Sequence, residues 1–379
     1  MSLFRTLSTF FALGCLLALA ACDSALTDDT ADGLAASVQQ DKTPICHYNE
    51  VEDAYDRILV GSGGLAAHLR HGDLLFNPNT SDDDPSDGDL HCDSAGSGGG
   101  GHVPVCTERI VFYGESNEGI GIYAMDPDGS DVVDLTDGST GYDPAVSPDG
   151  TKIAFVSSRD SVYPDIYVMD ADGTDVVRLT TDPASDREPT WSPDGQKIAF
   201  TSTRSGSSQI FVMNADGTGV YQLTTEVGSF SGATWSPDGN HIAYTQSLDN
   251  EDIYVMELVS GTVTQLTDNP SQDYNPAWSP DGTKIAFSSD RMAAEQFNLF
   301  VMNADGSNVQ SLDYGPSLDE NAAWSLDGTK LVYSSTVDGQ TDLFVIGADG
   351  SGKTNLSNST GFENTPDWAC LRVTLGITL

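Results

Sequence analysis

Short runs of alternating apolar and polar residues, each closed by a Gly-containing turn, follow one another from Arg109 to the carboxy-terminal region. Their order is constant. Thr190-Trp191-Ser192 reads as the end of a strand that Pro193-Asp194-Gly195 turns, with Gly195 free to take a positive φ. Lys197 to Ser202 predicts a second strand, Ile198 and Phe200 on one face and Ala199 on the other. Gln209 to Asn214 predicts a third, rich in β-branched and aromatic side chains. Asn214-Ala215-Asp216-Gly217 is the next hairpin turn and Val220 to Thr224 an outer fourth strand. The unit then recurs. Val146, Trp191, Trp235, Trp278, Trp324 and Trp368 mark equivalent positions, at steps of 45, 44, 43, 46 and 44 residues. A repeat of this size built from four short strands predicts a propeller blade, the whole chain being all-β.

Second strands begin at Arg109, Lys152, Lys197, His241, Lys284 and Lys330, which predicts six blades. The first has no Trp-Ser-Pro-Asp-Gly before it, and Trp368 has no second strand after it. Each end lacks what the other holds. A composite blade follows, its innermost strand from Asn364 to Ala369 and its other three from Arg109 to Thr136, a strand-exchange closure that leaves no open edge at the seam. Aligning the copies puts Cys106 and Cys370 in the place of the missing turn, so a Cys106–Cys370 disulfide is expected there. The aspartates of the Asp-Gly turns read as turn caps and the repeated Trp as a wedge between blades.

Ser-Pro-Asp-Gly-x-Lys-Ile-Ala-Phe, then Asp165-Ile-Tyr-Val-Met-Asp-Ala-Asp-Gly173 and Arg178-Leu-Thr180, resembles the WD40-like (PD40) repeats of the TolB propeller family. The resemblance runs from about Arg109 to Trp368. It implies a six-bladed propeller acting in the bacterial envelope as a protein-binding module.

The amino-terminal hundred residues read differently. Arg5 precedes an apolar run, Phe10 to Ala21, of signal-peptide length. Leu19-Ala20-Ala21-Cys22 resembles a bacterial lipobox, which implies cleavage before Cys22 and acyl chains such as palmitate on that residue. The expected divisions are a signal peptide (1–21), a flexible tether (22–44), a small Cys/His module (45–93), a Gly/Ser linker (94–105), the propeller (106–370) and an extension (371–379). The module holds His47, His68, His71 and His91 beside Cys46 and Cys92. Two readings stand: a Cys46–Cys92 disulfide alone, or a zinc site built from those histidines. No other cofactor is expected.

Sixteen basic against 57 acidic residues give a net charge of −41. Nucleic acid is thereby excluded as a partner, and a halophilic or marine setting is expected. Acids gather in the loops that return to the inner strands, and Asp143, Asp186, Glu188, Asp273, Glu320 and Glu363 are the candidate partner-binding face. No Gly-x-Ser-x-Gly, phosphate loop or His-Glu-x-x-His occurs, and no catalytic residue is assigned. The reading is a monomeric, membrane-anchored lipoprotein of the cell envelope or surface, whose propeller binds a protein or peptide. The rival is a glycan-binding or carboxylate-based glycan-hydrolysing protein.

Overall fold

The computed structural model describes residues 42–49, 54–61, 74–75, 106–116, 119–136, 138–293, 296–357 and 361–372. Lys42–Asn49, Ala54–Gly61 and Leu74–Leu75 form one small antiparallel sheet with the first strand central. The expectations for Cys22, His68, His71, His91 and Cys92, and for most of the extension, lie outside the described residues. The side chains of Cys46 and His47 do too.

Six four-stranded antiparallel sheets follow, and neighbouring innermost strands touch in sequence around a ring. Blade 3 is representative: Asp186–Trp191, Lys197–Ser202, Gln209–Asn214 and Tyr221–Gln222, from the axis outward. Blades 2, 4, 5 and 6 begin at the inner strands Tyr142–Val146, Ser229–Trp235, Asp273–Trp278 and Leu318–Trp324. Blade 1 is the composite one. Its innermost strand, Glu363–Leu371, pairs with Thr107–Ser116, and Gly119–Met125 and Val133–Asp134 complete it. Trp368 stands opposite Ile110 as Trp191 stands opposite Ile198.

The core lies between blades. Every sheet is covered on both faces, which is why its two middle strands are almost wholly apolar. Ile198, Phe200, Phe211 and Met213 pack on Ala154, Val156, Ile166 and Val168 of blade 2, whereas Ala199, Ile210 and Val212 pack on Ile242 and Tyr244 of blade 4. At the seam Ile110 and Phe112 pack on Val332, Leu343 and Val345 of blade 6, the same use of the second strand. Indole N–H groups add links between blades: Trp191 donates to the Ala145 carbonyl and Trp324 to the Ala277 carbonyl, each at 3.0 Å. Trp368 differs, donating to Glu108 Oε1 at 2.7 Å within its own blade.

The turn aspartates cap as expected. Asp172 accepts the Thr174 N–H at 3.0 Å and its hydroxyl at 2.6 Å, and these bonds hold its carboxyl below the usual range. Turn geometry also closes the ring. Cys106 and Cys370 are joined by a disulfide, their Cα atoms 5.5 Å apart. Gly150, at φ 71°, faces the Cys370 carbonyl so closely that a Cβ would lie 1.9 Å from that oxygen. Arg372 N–H donates to the Gly150 carbonyl at 2.8 Å, so the last described residues latch onto blade 2.

Candidate functional site

Every innermost strand carries a β-bulge, seen as a register break between Arg187 and Thr190, Ser231 and Thr234, and at the matching point of the other blades. The bulge residue adopts a left-handed backbone in all six: Asp143, Glu188, Gly232, Asn275, Asn321 and Thr365, with φ between 44° and 59°. Asp, Asn and Gly tolerate this conformation best, so five of the six choices are of low or moderate cost, Glu188 among them, while β-branched Thr365 is the costly one. These six residues line a constriction of the axial channel of about 220 Å³.

The ring is chemically divided. Asp143 and Glu188 make an acidic arc on blades 2 and 3. Glu188 Oε2 accepts the Thr201 hydroxyl and the Gly232 N–H, both at 2.8 Å, so its carboxylate is fixed in place. Asp143 is pushed up to about 7, first by burial among protein atoms and then by the Glu188 charge, with Arg187 and the Glu188 backbone N–H opposing. Across the channel the arc is neutral: Asn275 Nδ2 donates to Asn321 Oδ1 at 2.6 Å, and Asn321 Nδ2 to Asn364 Oδ1 at 2.8 Å. Side-chain amides thus run from blade 5 through blade 6 to blade 1.

From the constriction toward the Pro-Asp-Gly turns the channel widens into a funnel of about 330 Å³. Its wall carries Trp191, Trp235, Trp278, Trp324 and Trp368, with Pro148, Pro193, Pro237, Pro280, Leu326 and Cys370 at the turn position of successive blades, and polar groups between them. Rigid aromatic and proline surface above a polar ring can seat an extended segment, holding apolar side chains in the funnel and polar groups at the constriction.

The six acids read from the sequence therefore separate into three environments. Asp143 and Glu188 reach the channel. Glu320, one residue before its bulge, is half-buried and accepts the Tyr274 hydroxyl; burial first, and then the Glu320 charge and this bond, raise that phenol. Asp186, Asp273 and Glu363 stand two residues before the bulge and are buried inside their blades. Asp186 pairs with Arg204 at 2.8 Å, Asp273 with Arg291 at 2.9 Å, and Glu363 accepts the Ser357 hydroxyl at 3.0 Å. These three hold blades together and offer no open face. The tryptophans and the amide arc are the parts of the channel that the sequence reading did not assign. Among the described residues no group of three or more His, Cys, Asp or Glu side chains is placed to hold a metal ion.

The profile described as the TolB beta propeller domain matches residues 110–251 and 234–369. TolB from Acinetobacter baumannii is similar in structure, at 26% sequence identity and a TM-score of 0.63, over 69% of this chain and 66% of that one. The chain thus spans about two thirds of that protein's length. A putative TolB from Agrobacterium tumefaciens matches at 22% identity and a TM-score of 0.53, over 71% of this chain and 92% of that one. Kuenenia stuttgartiensis hydrazine synthase, at 13% identity and a TM-score of 0.58, covers 71% of this chain and 47% of its own and shares the fold alone. No curated protein matches the chain.

Proposed function

The chain belongs to the TolB β-propeller family, and from that premise we propose that it is a non-catalytic binding protein whose axial channel takes up a protein or peptide segment. The observation that carries this reading is the funnel of tryptophans and prolines ending on a polar ring. Such a site supplies large contact area from side chains already fixed by blade packing, so little entropy is lost on binding. The acidic arc of Asp143 and Glu188 favours a segment with a cationic or hydrogen-bond-donating group, and the Asn275–Asn321–Asn364 arc favours its backbone amides. The finer reading is an envelope lipoprotein, monomeric and held to the membrane through acyl chains on Cys22.

Partner capture from envelope extracts tests the channel. Neutralising Asp143 and Glu188 together, or filling the funnel by Ala277→Phe, is expected to reduce recovery at least tenfold. Undiminished recovery by both variants would remove the channel from the proposal. Neutralising Asp186 and Asp273 instead would perturb folding and is not informative about the site.

A second reading has one observation in its favour. Asp143 and Glu188 are adjacent carboxyls in a channel, one kept partly protonated near neutral pH and the other fixed by two donors, the division of roles that acid–base hydrolysis of a glycan requires. Release of reducing ends from envelope polysaccharides, abolished by Asp143→Asn, would establish that reading over simple binding.

A further inference from the structure

Second strands of three blades end in Ser-x-Arg: Ser157 to Arg159, Ser202 to Arg204 and Ser289 to Arg291. All three arginines are held alike. Nε donates to the serine hydroxyl at 3.1, 2.9 and 2.9 Å. Each guanidinium lies over two aromatic rings of its own blade, Arg159 at 5.2 Å from Phe155 and 5.3 Å from Tyr167, Arg204 at 5.3 and 5.0 Å from Phe200 and Phe211, Arg291 at 5.1 and 4.8 Å from Phe287 and Phe300. In blades 3 and 5 a terminal nitrogen then reaches the buried inner-strand carboxylate, Asp186 or Asp273.

Blade 2 lacks that carboxylate. Gly141 occupies the place of Asp186, five residues before Val146 as Asp186 is five before Trp191. Arg159 is exposed and makes no ion pair among the described residues. Blade 1 keeps the acid, Glu363, with Ser116 at the place of the arginine. Blade 4 has Phe230 for the acid and Leu248 for the arginine, and Phe230 packs against Tyr244 at 5.7 Å. Blade 6 keeps the acid, as Asp319, and Lys353 lies over Tyr333 and Phe344 in place of an arginine from the second strand. Blade 2 alone retains the oriented cation and omits the anion.

A second arginine is held by a ring of the same blade. Arg187 lies over the Tyr142 ring at 5.5 Å and donates to its hydroxyl at 3.1 Å; it too is exposed and without an ion pair among the described residues. The Arg187 charge acts on Asp143, so among the described residues Arg159 is the ring-stacked arginine that no carboxylate pairs.

We infer that the exposed Arg159 guanidinium is a carboxylate-binding site, its terminal nitrogens being the donors. A carboxylate delivered from outside would pair with the exposed guanidinium as Asp186 pairs with Arg204 in blade 3, against a group whose stem is already immobilised. Surrounding negative charge repels anions in general, so only a group that forms the paired hydrogen bonds gains a net attraction there. Such a site is independent of any peptide partner in the channel.

Side-chain Nε–Hε resonances of ¹⁵N-arginine-labelled protein, followed during titration with sodium acetate against sodium chloride at constant ionic strength, test it. Arg159 is expected to shift saturably, while Arg204 and Arg291, whose terminal nitrogens are occupied, stay within a tenth of that shift. An unmoved Arg159, or equal movement of all three, overturns the site. Gly141→Asp, which restores the missing carboxylate, is expected to abolish the response; a full response in the folded variant also overturns the site. A Cβ at Gly141 would lie 3.0 Å from the Phe155 ring, so should that variant not fold, the internal comparison with Arg204 and Arg291 decides by itself. Two further probes separate the sources of a carboxylate: Ac-Gly-Gly-Gly with a free carboxy terminus, and Ac-Gly-Glu-Gly-NH₂. A stronger response to the first identifies a chain terminus, to the second an acidic side chain. Silence toward both peptides and acetate rejects the inference.

Discussion

Cys106 and Cys370 are bonded across 264 residues of sequence at the one place in the ring where no hairpin turn joins the first two strands of a blade. The bond stands in for that turn. It fixes the carboxy-terminal strand against Thr107–Ser116, and the loop it closes is nearly the whole propeller.

Breaking the bond by Cys370→Ala is expected to leave the blades folded and lower unfolding stability by up to about 5 kcal/mol, the chain-entropy ceiling for so long a loop. Hydrogen exchange should show the loss first in the amides of Glu363–Leu371. Uniform loss over all six blades would mean that the strand does not peel independently.

Asp143 sets a pH dependence. Its carboxyl is raised to about 7 in the folded chain, against about 3.9 when unfolded, so the folded state binds the proton more tightly between those values. Stability is therefore favoured at the acid end of this window and declines as pH rises from about 4 to 7. The shift caps the decline at roughly 4 kcal/mol, and channel water lowers it. Asp143→Asn is expected to flatten the difference in melting midpoint between pH 5 and pH 8. An unchanged difference would show that Asp143 titrates normally.

Asp186 and Arg204 form a buried pair that blade 4 replaces by Phe230 and Leu248. Asp186→Ala leaves the guanidinium without its anion and should cost about 3 kcal/mol or more. Transplanting the blade 4 solution, Asp186→Phe with Arg204→Leu, should recover at least half of that in urea unfolding. A double variant less stable than Asp186→Ala would show that the two blades are not interchangeable.

Net charge of −41 makes repulsion a general term in the stability of this chain. Raising NaCl from 0.1 M to 2 M shortens the Debye length from about 10 Å to under 3 Å. The melting midpoint is expected to rise by several degrees. Equal midpoints would defeat the idea of adaptation to salt.

The repeat, the four strands of a blade, the count of six and the exchange of strands at the seam are all local or periodic properties. Turn residues such as Pro193-Asp194-Gly195 and the alternation of Ile198, Ala199 and Phe200 encode them within a few residues, so the sequence alone determined them. Which acids reach the channel is of another kind. Asp186 and Glu188 are two apart and share a face in a regular strand, yet one lies buried against Arg204 and the other lines the constriction. The bulge at Glu188 separates them by breaking the two-residue period, and a bulge is stabilised by contacts across the ring, here the bond from Gly232 of the next blade. The missing acidic partner of Arg159 is intermediate. Gly141 could be aligned with Asp186 from the sequence, but only the packing of Arg204 on Asp186 and two rings reveals what that glycine leaves out. Side-chain direction at the axis depends on six strands meeting, and that meeting belongs to the tertiary structure.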